Sequence, residues 1–157
     1  LYGPGDNYNL ENSHVIPALI RKFHEAKINK SDHLEVWGTG NPKREFLHVN
    51  DMARACIHVM NIDKKSYDKL ISPMSSHINV GSGEDISIKN LSYLIKDIID
   101  YSGKIVFDDS KPDGTIRKLL DISLIKQTGW LPEIGIKEGL NETYKNFLEN
   151  YSLRYRK

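Results

Sequence analysis

The residues best suited to chemistry lie in one run, Trp37-Gly38-Thr39-Gly40-Asn41-Pro42-Lys43-Arg44-Glu45-Phe46-Leu47-His48-Val49-Asn50-Asp51. It joins an aromatic, a Gly/Pro-rich turn, a fixed cation and a pair of helix-capping residues. An indole offers a flat face to a ring. The Arg44 guanidinium can fork onto two oxygens of a phosphate. Such a run can hold a flat base and an anionic group a few residues apart. Alone, Trp37 also reads as strand core, and Arg44 as an exposed partner of Glu45.

Other candidates are more scattered. His14 follows Ser13 at the start of an apolar periodicity, and imidazole can exchange protons near neutral pH. A helix N-terminus disfavours imidazolium, so His14 needs a partner to act as an acid there. Lys22 is a point charge on the same segment. Asp113 lies in a Pro-Asp-Gly turn. Lys118 is extended and reads either as a phosphate contact or as a solvated lysine. Lys111 carries a weaker form of the same signal. His24, His33, His48, His58 and His77 show no metal-ligand spacing with Cys or carboxylates, so no metal is expected. His48 is expected to orient the Arg44 strand through a side-chain hydrogen bond. Gly81-Ser82-Gly83 lacks the strand and helix of a phosphate loop and reads as a turn.

Several elements must position these groups. Residues 1–12 are rich in turn formers. Ser13 is the expected cap of a helix over 14–26, with Val15, Leu19, Phe23 and Ala26 on one face. Leu34–Trp37 and Glu45–Val49 read as strands. Asn50 or Asp51 is the expected cap of a helix over 52–61, with Ala55, Cys56, Val59 and Met60 as its apolar side. Residues 62–76 read as a polar loop and 78–80 as a strand. Ser87 starts a helix carrying Ile88, Leu91, Ile95, Ile98 and Ile99, with Gly103 as its stop. Residues 104–107 and 118–121 read as extended, and a short helix follows Ser123. A last helix, about 136–151, buries Leu140, Tyr144, Phe147 and Tyr151. The fold class is mixed α/β, with about four helices and short strands in a single region spanning 1–157.

With 157 residues, 22 basic and 21 acidic, the formal net charge is +1. Near balance argues against a nucleic-acid or membrane-surface binder. No apolar run approaches the roughly 20 residues of a bilayer span. Cys56 is the one cysteine, so an internal disulfide is impossible, and a cytoplasmic setting fits. The basic end, Arg154-Tyr155-Arg156-Lys157, reads as a solvated tail.

Together, Leu1-Tyr-Gly-Pro-Gly-Asp-Asn, the stretch from Asn12-Ser-His-Val-Ile-Pro-Ala-Leu to Ala26, Trp37 through Asp51, Ile78-Asn-Val-Gly-Ser-Gly-Glu-Asp85 and Ser110-Lys-Pro-Asp-Gly-Thr115 resemble the GDP-L-fucose synthase family. That family belongs to the extended short-chain dehydrogenase/reductases. The Trp–Arg run is shared by many nucleotide-sugar enzymes. The Asn-Ser-His-Val-Ile-Pro-Ala-Leu and Ser-Lys-Pro-Asp-Gly-Thr segments are more specific. The resemblance implies 3,5-epimerisation of GDP-4-keto-6-deoxy-D-mannose and reduction at C4 with NADPH. It implies His14 as catalytic, with Leu1 and His14 at the cofactor's edge. Lys22, Trp37, Arg44, Asp113 and Lys118 become substrate contacts.

The family's Cys and its Ser-Tyr-Lys set have no counterpart here. No Gly-x-x-Gly-x-x-Gly or Tyr-x-x-x-Lys occurs, and Cys56 does not match the family's catalytic thiol. The chain is therefore expected to be the C-terminal, substrate-holding half of an enzyme whose N-terminal Rossmann domain holds NADP(H). The fragment is expected to be inactive alone, while the full enzyme is typically a homodimer. Exposed apolar groups around Leu1–Leu10 and Val15–Leu19 are expected to leave it marginally stable or self-associating. The alternatives are another nucleotide-sugar epimerase, dehydratase or reductase, and a non-catalytic nucleotide-binding module.

Overall fold

The computed structural model describes residues 1–154, with side chains described through residue 150. The expected solvated tail and the inward role of Tyr151 fall outside the described side chains. Among the described residues there are six helices rather than about four, with five short strands. None of these helices is long and apolar enough to cross a membrane.

The first core forms where the helical periodicities meet. Helix α1 (Val15–Ile28) buries Ile16, Leu19, Ile20 and Phe23. It packs on α4 (Ile88–Ile99), which buries Leu91, Ile95 and Ile99. Leu140 and Phe147 of α6 (Ile136–Arg154) complete this cluster with Tyr2, Tyr8 and Tyr101. Burying such side chains stabilises by about 1.5–3 kcal/mol each before entropy is counted. The expected exposed patch at Val15–Leu19 is thus largely core: Ile16 is 1% exposed and Leu19 4%, whereas Leu1 and Leu10 remain exposed.

Two small sheets flank these helices. Strand β1 (His33–Trp37) pairs in parallel with β4 (Lys104–Asp108), with Trp37 opposite Asp108. Strand β2 (Lys43–Glu45) is central in the second sheet. It pairs antiparallel with β3 (Asp85–Ser87) and parallel with β5 (Arg117–Lys118).

Several local expectations change. Strand β2 ends at Glu45, because the backbone around His48 pairs with Tyr2 instead: the Tyr2 N–H donates to the Leu47 carbonyl and Val49 N–H to the Tyr2 carbonyl. Helix α2 (Val49–Met60) starts earlier than expected. Its cap is His48, whose Nδ1 accepts from Asn50 N–H, rather than Asn50 or Asp51. Its inner side is Ala55, with Cys56 and Met60 exposed. At the first helix, His14 occupies the N-cap position in place of Ser13 and makes no side-chain capping bond.

The expected loop after α2 contains helix α3 (Lys64–Leu70), started by Asp63 accepting from Ser66 N–H at 3.0 Å. Residues 78–80 form no strand. Ile78 and Val80 pack on a second core of Leu47, Ala55, Ile122, Ile125 and Trp130, while the Asn79 amide donates to the Asp121 carbonyl. Ser87 caps α4 as expected, accepting from Asn90 N–H at 3.1 Å. Left-handed Asp100 (φ 57°), not Gly103, ends that helix. Gly103 instead permits the close approach of Tyr101 and the Ser31 backbone. Helix α5 (Ser123–Gln127) follows β5.

Candidate functional site

Parallel pairing of β1 and β4 decides where the site lies. Parallel strands deliver their C-terminal ends to one side, where ligands of α/β folds gather. The 38–42 turn after β1 and the 109–116 segment after β4 therefore emerge together. Gly38 N–H donates to the Asp108 carbonyl at 2.8 Å, and Asp108 starts the next turn by accepting from Ser110 N–H and Oγ. The Ser110 bonds hold the Asp108 carboxyl below its ordinary value. The segment then enters β5 beside β2, where Lys43 N–H donates to the Ile116 carbonyl. One connection thus runs from Trp37 to Arg44.

Most sequence candidates collect along this connection. Trp37, at the end of β1, is 65% exposed, so its indole is surface rather than core. The Lys22 ammonium lies 5.4 Å from its ring centroid and that of Lys111 5.7 Å away, both within cation–π range. Asp113 accepts from Thr39 N–H at 2.9 Å and from Thr39 Oγ1 at 2.6 Å. Both carboxylate oxygens therefore tie the loop to the glycine turn. Gly38 is required there: its φ is +82°, and a Cβ would run into the Asp113 carboxylate. Arg44 donates to the Thr115 carbonyl and its own neighbour's carbonyl, with Gly114 against its guanidinium. Two backbone bonds orient the fork and leave further N–H donors. Lys118 is exposed on β5, opposite Arg44 in the register.

His14 lies outside this cluster. It is exposed at the head of α1, and Lys22 follows roughly two turns later, about 12 Å along the axis. Ser13 Oγ beside it is buried without a hydrogen-bond partner among the described residues. Leu1 is 63% exposed.

A supporting layer lies beneath the cluster. The Glu45 carboxylate accepts from Gly83 N–H at 2.7 Å and Leu120 N–H at 3.0 Å, tying the 81–84 turn and the end of β5 to β2. Arg117 donates to Asp85 across the same sheet, which holds that carboxyl below its ordinary value. His48 is 1% exposed. It caps α2 rather than orienting the Arg44 strand, and its Nε2 lies 3.6 Å from Glu142 Oε2. A separate hollow of about 410 Å³, lined by Phe46, Glu84, Asp85, Pro132 and Glu133, holds none of the candidates. Its carboxylates disfavour an anion.

Sequence reasoning missed Thr39 and Glu45 and underweighted Lys111. The Gly-Thr-Gly spacing hinted at Thr39. By itself Glu45 reads only as a partner for Arg44 and Lys111 as a weak phosphate candidate, because the groups they meet lie across non-consecutive strands.

Comparison with known proteins places the chain in a family. The family model described as "NAD dependent epimerase/dehydratase family" matches residues 1–81. GDP-L-fucose synthase of Escherichia coli (strain K12) is 53% identical over 150 residues, which are 96% of this chain and 47% of that protein. The chain thus spans about half the length of the curated relatives it matches. Among solved structures, a GDP-6-OMe-4-keto-L-xylo-heptose reductase from C. jejuni superposes with a TM-score of 0.85 at 34% identity, covering 95% of this chain and 51% of that one. A GDP-L-fucose synthetase from Naegleria fowleri bound to NADP gives 0.84 at 30% identity, covering 99% and 46%. The chain is a member of the NAD dependent epimerase/dehydratase family, within the extended short-chain dehydrogenase/reductases.

Proposed function

We propose that residues 1–157 are the substrate-holding half of a GDP-L-fucose synthase. The enzyme epimerises GDP-4-keto-6-deoxy-D-mannose at C3 and C5 and reduces C4 with NADPH to give GDP-L-fucose. The observation that carries the reading is the gathering of Trp37, Arg44, Lys22 and the Asp113 loop at the C-terminal ends of β1 and β4. An exposed indole and a fork of guanidinium donors suit a nucleoside diphosphate. The 53% identity to the E. coli synthase supports GDP-4-keto-6-deoxy-D-mannose as the sugar.

In this reading Arg44 and Lys22 hold the diphosphate, with Lys118 adding positive charge. Trp37 flanks the nucleotide, and Asp113 fixes the loop over it. The sugar extends along α1 toward His14. Epimerisation removes a proton beside the C4 ketone, giving an enolate, and returns one to carbon from the opposite face. A ring nitrogen of His14 is the proton carrier this chain supplies. NADP(H), when bound, supplies the hydride for C4. Exposed Leu1 and His14 offer the dinucleotide an edge rather than a phosphate cradle. Its main binding elements, and the Ser-Tyr-Lys and Cys groups, are assigned to a Rossmann half of the full-length enzyme. That enzyme is read as a cytoplasmic homodimer, and this half as inactive alone.

The test is calorimetric titration of the chain with GDP, UDP and dTDP. GDP is expected to bind selectively. Arg44→Ala is expected to weaken it at least tenfold, since a hydrogen bond from a charged group contributes about 1.5–3 kcal/mol. Equal affinity for UDP, or an unchanged R44A variant, refutes the reading. The similarity to a GDP-heptose reductase favours a second reading, reduction of another GDP-4-keto sugar by the full-length enzyme. Product analysis with both substrates separates the two.

A further inference from the structure

Two lysines from different elements converge on one exposed indole, and the proposed reaction does not by itself require both. Lys22 comes from α1 and Lys111 from the segment between β4 and β5. Their ammoniums lie 5.4 Å and 5.7 Å from the same Trp37 centroid. Neither lysine forms an ion pair with a carboxylate among the described residues. Asp108 feels the Lys111 charge, but its Oδ1 is taken by Ser110. The convergence is therefore a cationic site with no close ion pair among the described residues, Asp108 acting on Lys111 only from beyond that range.

The loop's backbone holds this arrangement. On the C-terminal side of Lys111, Asp113 is bound to Thr39, Gly114 rests on the Arg44 guanidinium, and the Thr115 carbonyl accepts from Arg44. On its N-terminal side, the Lys111 N–H donates to the Asp108 carbonyl at 3.2 Å. Lys111 is thus pinned from both directions, its ammonium resting on the indole face. Cation–π contact at an exposed site is weak, about 0.5–1 kcal/mol, so the ammonium is held in position yet easily surrendered to a stronger partner.

We propose that Lys111 is a further substrate-binding residue. Together with Lys22 it grips the diphosphate of the nucleotide sugar, and Trp37 stores its ammonium beside that anion's place until the substrate arrives. The anion attracts both ammoniums, and the loop already held against Thr39 and Arg44 presents Lys111 to it. Lys118 does not substitute for it, since it lies on β5 opposite Arg44 and makes no cation–π contact with the indole among the described residues. This inference rests on the proposed diphosphate site but not on which base or sugar that site accepts.

The experiment is calorimetric titration of inorganic pyrophosphate, GDP and UDP into the wild type and the K111M, K111R and K65M variants, at low and moderate salt. Lys111 and Lys65 are exposed, and circular dichroism verifies that all variants fold. K111M is expected to lose about tenfold in affinity for pyrophosphate and GDP alike. Its affinity should also fall less steeply with salt, because one charge has left the contact. K111R should recover most of the loss, and K65M should match the wild type.

A K111M affinity within twofold of wild type overturns the inference. So does a K65M loss as large as that of K111M, or a wild type that binds neither pyrophosphate nor nucleotide. Equal binding of GDP and UDP with the Lys111 effect intact overturns the guanine reading and leaves the Lys111 assignment standing.

Discussion

Asp51 offers a demanding test of how the site's scaffold is held together. It is fully buried, and its carboxylate joins α2 to the segment leading into α6. Oδ1 accepts from Glu133 N–H and Oδ2 from Ile134 N–H, each at 3.0 Å, and Arg54 also donates to Oδ1. Asp51→Asn keeps the shape but replaces one oxygen with an NH₂ group. In either amide orientation, that NH₂ faces a donor. The variant loses a charge-assisted bond and strands an N–H, for a combined cost of about 3 kcal/mol. Domains have only about 5–15 kcal/mol of stability in total. At this chain length, each kcal/mol moves Tm by about 2–4 °C, so a drop of about 6–12 °C is expected. The assay is thermal and urea unfolding followed by circular dichroism. The urea slope should stay near that of the wild type, because the same surface is exposed on unfolding. A Tm within 2 °C of wild type would refute the reasoning, since Asp51 would then not join these segments.

Other consequences follow from single contacts. Burial holds the His24 imidazole below its ordinary value of 6.5. The unfolded chain therefore takes up the proton first. His24's contribution is intact above about pH 6.5 and declines as the pH falls below it. The Tm of His24→Gln should accordingly fall less than that of the wild type between pH 7 and pH 5, and parallel curves would exclude the effect. Gly38→Ala forces a side chain into a left-handed position and onto Asp113, costing about 1–3 kcal/mol. GDP affinity should fall along with Tm. Iodide should quench exposed Trp37, beside its two ammoniums, far more than Trp130, which is 7% exposed. Trp37→Phe should remove most of the quenchable emission, and a fully quenchable remainder would contradict the burial of Trp130.

Within the Trp37–Asp51 run some side chains approach the proposed ligand site and others support it, a division invisible in the sequence. Trp37 and Arg44 are the proposed ligand contacts, whereas Glu45, His48 and Asp51 bind the backbone of residues 83, 120, 50, 133 and 134. The helices α1, α4 and α6 were legible because their apolar periodicity is carried by neighbouring residues, and the Ser87 cap because it acts only three residues ahead. Residue types and spacing likewise marked Trp37 and Arg44. Strand β3, the bridge of Tyr2 to His48, and the parallel pairing of β1 with β4 depend on segments far apart in the chain. Their hydrogen bonds leave no local pattern, and short strands have too few residues to show alternation. Lys111 makes the point most directly: by itself it is a loop lysine, and only the parallel sheet, by bringing the end of β4 beside the end of β1, sets its ammonium over Trp37.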